Sequence, residues 1–217
     1  MPSLLPSTTV GKKIVMAATG LVWLLFLSFH LWANLVVFRG PRPFNELAAF
    51  FDDRVYLLAI TRAVLLVSLV LHVLAAYALA RVDVAARPAP YARVRPQRAT
   101  FASRTMRWTG VVVLGFLVFH ILHLTTGTIQ PVPFREGDVY ADVTGGFRVG
   151  WVAAVYIVCL AALGTHVFHA SWAALRSLGL VHLRAWPFDR RLATAIALVF
   201  WLGFTAIPVA ILAGWRG

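Results

Sequence analysis

An all-α membrane protein of five transmembrane helices is the fold this sequence predicts, and three observations predict it. The chain has 217 residues, 60% hydrophobic and only 13% charged, with a mean hydropathy of +0.80. A soluble domain of this size cannot hide so much apolar surface, so part of its solvent must be lipid. The apolar residues gather in five stretches, approximately 14–37, 56–80, 108–126, 151–174 and 192–213. Each is near the ~20 residues that cross a hydrocarbon core about 30 Å thick. Finally, the basic residues alternate between successive connections, as they do in multi-pass proteins.

The first stretch is too long for a secretory signal and carries His30, with no small-residue cleavage site at its end. The outer connection that follows, 39–55, holds Gly, Pro and acids, and a short interfacial helix is expected at Phe44–Phe51. The second and third stretches are joined by 82–106, rich in Arg and in Pro88, Pro90 and Pro96, which is expected to lie along the membrane surface. The connection 127–150 reads as a loop. Pro208 falls late in the fifth stretch, where neighbouring helices can satisfy a freed carbonyl. The whole chain, 1–217, reads as a single membrane domain.

A formal charge of +12 invites a nucleic-acid reading, but its distribution argues against one. Lys12, Lys13, Arg81, Arg87, Arg93, Arg95, Arg98, Arg104, Arg107, Arg176, Arg184, Arg190 and Arg191 belong to the N-terminus and the second and fourth connections. The other connections mix Arg39, Arg42, Arg54, Arg135 and Arg148 with Glu46, Asp52, Asp53, Glu136, Asp138 and Asp142. The positive-inside rule then puts the N-terminus in the cytoplasm and the C-terminus outside. The basic face suits anionic lipid or an acidic partner, and charge alone does not choose between them. The single cysteine, Cys159, excludes an internal disulfide and any thiolate-held iron–sulfur or zinc centre.

The chain also echoes itself. Thr19-Gly20 precedes Phe29-His30 by the same interval that separates Thr109-Gly110 from Phe119-His120. His72-Val73-x-x-Ala76 is matched by His166-Val167-x-x-Ala170. Two related helical hairpins followed by a fifth helix are expected.

Ionisable side chains inside a membrane are costly and mark function. Here four histidines fall one per span. His30 and His120 come late in spans that travel outward, and His72 and His166 late in spans that travel inward. They therefore form an outer pair and an inner pair, about eleven residues or ~16 Å of helix rise apart. Two facing imidazoles can clamp one flat macrocycle through the two axial sites of a haem iron, leaving no site for oxygen or substrate and making electron transfer the natural chemistry. Two haem b groups, one per pair, are the expected cofactors. Thr19 lies within about 20° of the His30 face and eleven residues below it, at the inner depth, and Thr109 stands in the same relation to His120. The Thr-Gly pairs thus read either as haem contacts or as ordinary close packing of helices. A single zinc ion cannot reach four ligands divided between two depths.

With these residues in place, the chain resembles the five-helix, cytochrome b558-type membrane anchor of succinate dehydrogenase and fumarate reductase. The resemblance runs over nearly the whole chain. It is carried by Thr19-Gly20 through His30-Leu31-Trp32-Ala33-Asn34-Leu35, Phe44-Asn45, Leu71-His72-Val73, Arg107-Trp108-Thr109-Gly110 through His120, and Tyr156 through His166 to Trp172. It implies a distal haem on His30 and His120 and a proximal haem on His72 and His166. It further implies a flavoprotein with covalent FAD and an iron–sulfur protein docked on the cytoplasmic face of a bacterial inner membrane. The chain would be their anchor and electron-transfer subunit, with menaquinone or another quinone reacting in the bilayer.

Around these ligands several roles stay open. Arg62 either snorkels to the interface or meets a haem propionate, and Arg107 and Lys13 face the same choice at the inner end. His123 and His169, one turn from ligands, are either propionate or quinone contacts or packed, hydrogen-bonded residues. Glu46, Asp52 and Asp53 are candidates for proton exchange at an outer quinone site, or solvated loop charges. A dihaem anchor for a hydrogenase or formate dehydrogenase, and a transporter using buried histidines as proton relays, are the competing functions.

Overall fold

The computed structural model describes residues 5–86, 101–177 and 186–215. Arg87, Arg93, Arg95, Arg98, Arg184, His182, the prolines of the second connection and Gly217 lie outside them. Seven α-helices follow in order: α1 (Thr9–Leu35), α2 (Pro41–Asp52), α3 (Val55–Ala85), α4 (Phe101–Leu124), α5 (Val139–Phe147), α6 (Gly150–Ser177) and α7 (Trp186–Leu212). Five of them, α1, α3, α4, α6 and α7, are long and apolar enough to cross a membrane. They coincide with the five stretches read from the sequence and extend some of them by a turn or more.

Local chemistry sets the boundaries. The Thr8 hydroxyl accepts the Gly11 N–H at 3.0 Å and starts α1. A 3-10 turn, Val36–Arg39, ends it, and Gly40 at φ +96° reverses the chain, a backbone conformation a side chain would resist. Pro41 then opens α2, where its missing N–H costs nothing. This is the short helix expected at Phe44–Phe51. The connection 127–150 is not wholly a loop, because α5 forms within it. Asp138 caps α5 by accepting the Ala141 N–H at 3.1 Å.

The helices pack as two hairpins, α1 with α3 and α4 with α6, joined where α1 meets α6 and α7. Glycines allow the closest approaches. A Cβ on Gly164 of α6 would lie 3.1 Å from Trp201 Cβ on α7, and one on Gly203 of α7 would lie 2.9 Å from Leu31 on α1. Of the residues in each apolar window, 39% are buried in α6 and 33% in α7, against 11% in α3 and 0% in α4. The core is therefore α1–α6–α7, and α3 and α4 present apolar flanks outward, as lipid-facing helices do. Across one end of the bundle α2 and α5 lie together. Asn45 joins them: its amide donates to Asp138 Oδ1 at 2.9 Å, and its carbonyl accepts the Tyr140 N–H at 2.9 Å.

Candidate functional site

The four span histidines meet in the expected pairs. His30 on α1 and His120 on α4 face each other near the α2/α5 end, with ring centroids 5.8 Å apart and planes at 88°. His72 on α3 and His166 on α6 face each other nearer the opposite end, at 6.5 Å and 60°. Each pair takes one histidine from each hairpin. An imidazole nitrogen bonds a transition metal at about 2 Å, so two rings on opposite axial sites of one metal have centroids roughly 6 Å apart. Both pairs have that spacing.

The neighbours of Nδ1 differ from ring to ring. His72 Nδ1 lies 3.1 Å from the Met16 carbonyl, which can only accept. Nδ1 is therefore the protonated nitrogen, and Nε2 carries the lone pair a metal needs. Thr19 Oγ1 stands 3.1 Å from the same Nδ1 and gives its own proton to the Val15 carbonyl at 2.7 Å. Thr109 repeats the device. Its hydroxyl donates to the Met106 carbonyl at 3.1 Å, and its oxygen lies 3.4 Å from His166 Nδ1. The neighbouring glycines complete the two cradles. A Cβ on Gly20 would sit 3.5 Å from His72 Cε1 and 3.8 Å from Nδ1, and one on Gly110 would meet His166 at the same two distances. The Thr-Gly pairs thus brace the facing histidine of the partner helix within each hairpin.

At the α2/α5 end, His30 Nδ1 lies 3.3 Å from the Asn34 amide, and His120 Nδ1 lies 3.2 Å from the Tyr156 hydroxyl. A cavity of ≈ 200 Å³ opens beside this pair, bounded by Asn34, by Phe44, Leu47 and Ala48 of α2, and by Val139 and Val143 of α5. The donor set of both pairs, two facing imidazoles among apolar helices, suits a haem iron held by two histidines. Among the described residues, no three metal-binding side chains converge on one point.

His123 is fully buried and packed, its Nδ1 2.9 Å from the Tyr156 hydroxyl, and its ring stacks on Phe119. His169 is half-buried, edge-on to Trp172, with Nδ1 unpartnered. Arg62 is exposed on α3 and Lys13 on α1. Arg107 pairs with Asp83 at 2.9 Å, tying the end of α3 to the start of α4, with both side chains well exposed. Glu46 pairs with Arg42 at 2.7 Å on the exposed face of α2, opposite the face that lines the cavity. Asp52 and Asp53 are exposed at the far end of α2. None of these three acids is brought to the cavity.

The acids that are brought inward belong to α5. Asp142 is 3% exposed and accepts the Arg135 N–H at 2.9 Å. Burial pushes its carboxyl above the ordinary value, outweighing that hydrogen bond. Asp138 goes the other way: the Asn45 amide, then the Ala141 N–H, hold its carboxyl down. Sequence reading missed the roles of Asn34, Tyr156 and Asp142. A hydrophilic residue four positions after His30 was the available signal, for Asn34 alone. No protein-family model, no curated protein and no solved structure matches the chain.

Proposed function

We propose that the chain is the dihaem cytochrome b anchor of a succinate:quinone oxidoreductase, passing electrons between an iron–sulfur partner and quinone in a bacterial inner membrane. The observation that carries the cytochrome reading is the pair of facing imidazoles repeated at two depths, with ring centroids 5.8 and 6.5 Å apart. His30 and His120 would hold one haem b, and His72 and His166 the other. When bound, the two groups supply one-electron transfer along the bundle. The chain's own part is to fix four ring orientations, to exclude water with apolar helices, and to leave no ligand site open.

The choice of succinate as the reaction served rests on the resemblance of Thr19-Gly20, His30 to Leu35, Phe44-Asn45, Leu71-His72-Val73, Arg107 to Gly110 and Tyr156 to Trp172 to such anchors. In this reading the basic end faces the cytoplasm and receives the flavoprotein and iron–sulfur subunits. Quinone, menaquinone in the closest reading of the resemblance, reacts near the α2/α5 end, where the cavity beside His30 and His120 lies.

Affinity purification of the tagged chain from its native membrane tests both levels. A pyridine haemochrome assay should give two haems b per chain, and a covalently flavinylated subunit should co-purify. Two haems with a hydrogenase or formate dehydrogenase subunit in place of the flavoprotein would reassign the partner. A chain without haem would overturn the cytochrome reading and leave a histidine-bearing transporter.

A further inference from the structure

Behind His120 lies a buried polar chain that the ligand pairs themselves do not require. The Tyr156 hydroxyl lies 3.2 Å from His120 Nδ1 and 2.9 Å from His123 Nδ1. Tyr156 is 4% exposed and His123 0%. Phe116, Phe119 and Phe147 surround the tyrosine ring at centroid distances of 5.0, 5.8 and 4.7 Å. On its far side the Gln130 side chain neighbours His123. His123 Nε2 and Gln130 Oε1 are both buried without a hydrogen-bond partner. Both point into the space left by Gly146, where an added Cβ would lie 2.8 Å from the first and 3.2 Å from the second. The Gln130 amide nitrogen donates in turn to the Asp142 carbonyl at 3.4 Å.

We propose that His120, Tyr156, His123 and Gln130 form a hydrogen-bonded chain of one fixed direction that sets the tautomer of His120 and the redox potential of the haem it would hold. This rests on the haem reading above. A phenol has one proton to give, so the direction follows from a single choice. If His120 binds metal through Nε2, its Nδ1 carries the proton and donates to the Tyr156 oxygen. The Tyr156 proton then goes to His123 Nδ1. His123 must carry its own proton on Nε2, and Gln130 Oε1 is the acceptor facing it. Asp142 receives the last donor through its backbone carbonyl. Tyr156, His123 and Gln130 each donate once and accept once, and the bond from His123 Nε2 to Gln130 Oε1 beside Gly146 is the one that remains to close.

The chain also has an electronic effect. A hydroxyl whose proton is already donated is a better acceptor, because successive hydrogen bonds polarise one another. Tyr156 therefore draws on the His120 N–H more strongly than an isolated phenol would. An axial imidazole with its N–H so engaged is a stronger donor to the metal and favours the oxidised iron. Tyr156, His123 and Gln130 are positioning residues, acting on the metal only through His120. The other ligand pair has no counterpart, since its Nδ1 atoms meet a backbone carbonyl and threonine hydroxyls.

The test is a spectroelectrochemical titration of the intact complex in its membrane, with haem counted in each variant. Tyr156→Phe keeps the ring and removes the acceptor. It should retain two haems and shift one of the two titration waves towards the reduced form, three- to tenfold in the reduced-to-oxidised ratio at fixed potential, tenfold being 59 mV for one electron. Thr19→Val should move the other wave instead, which identifies the haem. His123→Leu should shift the same wave as Tyr156→Phe by a smaller factor. His123→Asn, whose side chain can still accept near the Nδ1 position, should restore most of it. If Tyr156→Phe loses the haem, the His123 pair reads the same shift from one bond further away. In ¹⁵N-histidine spectra of the wild-type complex the protons should lie on Nδ1 of His120 and Nε2 of His123. Two intact haems with both waves unmoved in Tyr156→Phe, or the reverse tautomers, would overturn the chain while leaving the haem reading standing. A wild-type complex without haem would instead remove that reading, and this inference with it.

Discussion

Each imidazole in the two pairs is held by a specific neighbour, and the holding can be tested one atom at a time. In the dihaem reading, His30→Ala and His120→Ala lose the same haem, and His72→Ala and His166→Ala lose the other. Haemochrome content should fall from two to one per chain in all four variants. If His123→Ala abolished a haem that His120→Ala retained, the ligand on α4 would be misassigned. The glycine cradles give a sharper contrast. At Gly20 and Gly110 an added Cβ meets the partner imidazole at 3.5 Å, an ordinary contact. Gly20→Ala should therefore keep both haems, whereas Gly20→Leu should displace His72 and lose one. Equal retention in both variants would show that the glycine gives no room the site needs. The pairing of the four span histidines and the placing of both Thr-Gly pairs were legible in the sequence, because depth and helical phase follow from counting along a span. What the Thr-Gly pairs touch was not legible, since rotation about a helix axis does not say which neighbouring helix stands there. His123 was equally opaque, since its i, i+3 relation to His120 fits a packed residue and a functional one alike, and nothing near Tyr156 in the sequence pointed to His120.

Among the helices, close approach and capping decide stability. Gly164→Ala places a methyl 3.1 Å from Trp201 Cβ and should push α6 and α7 apart, costing about 1–3 kcal/mol. Gly115 on α4 has nothing within 4 Å, so Gly115→Ala should be neutral or gain up to about 1 kcal/mol in helix propensity. Thermal melts in one detergent compare the two, and an equal loss in both would deny that α6–α7 is the tighter seam. The α2/α5 cap responds to pH through two acids of opposite sign. Asp138 is held below its reference value of 3.8, so the stability it contributes is present above that pH and lost as pH falls through its folded value. Asp142 is held above the same reference, so its contribution is present in acid and lost as pH rises through its folded value. Asn45→Ala should destabilise the cap by ~1 kcal/mol at pH 7, an effect that fades in acid. Asp142→Asn should melt no lower than wild type at pH 7, and its relative advantage should shrink towards pH 4. A pH-independent difference in both variants would remove the acids from the account. All five long helices were readable from apolar length, and α2 from its proline and amphipathic short run. Helix α5 was not, because Thr144-Gly145-Gly146 are poor helix formers, and packing beneath α2 overrides that preference.

For the molecule as a whole, orientation is the property on which every functional assignment of the two ends depends. Basic side chains gather at the end away from α2 and α5, where Asp83 is the acid facing them among the described side chains. A reporter fused after Gly217 should read as external, and one inserted between residues 87 and 100 as cytoplasmic. The opposite pattern would exchange the docking face and the quinone end. The pairing of histidines across the two hairpins bears on biosynthesis. A ribosome delivers α1 and α3 to the membrane first. That half carries His30 and His72, one from each pair and each facing a partner not yet made. The first half can fix the tautomer of His72 through Met16 and Thr19, but it can complete neither site. In the dihaem reading, cofactor capture must therefore wait for the second hairpin, α4 completing the His30/His120 pair and α6 the His72/His166 pair. Chains stalled within residues 87–100 should carry no haem at all, rather than one, and a cell starved of haem should accumulate full-length, inserted polypeptide instead of nascent fragments.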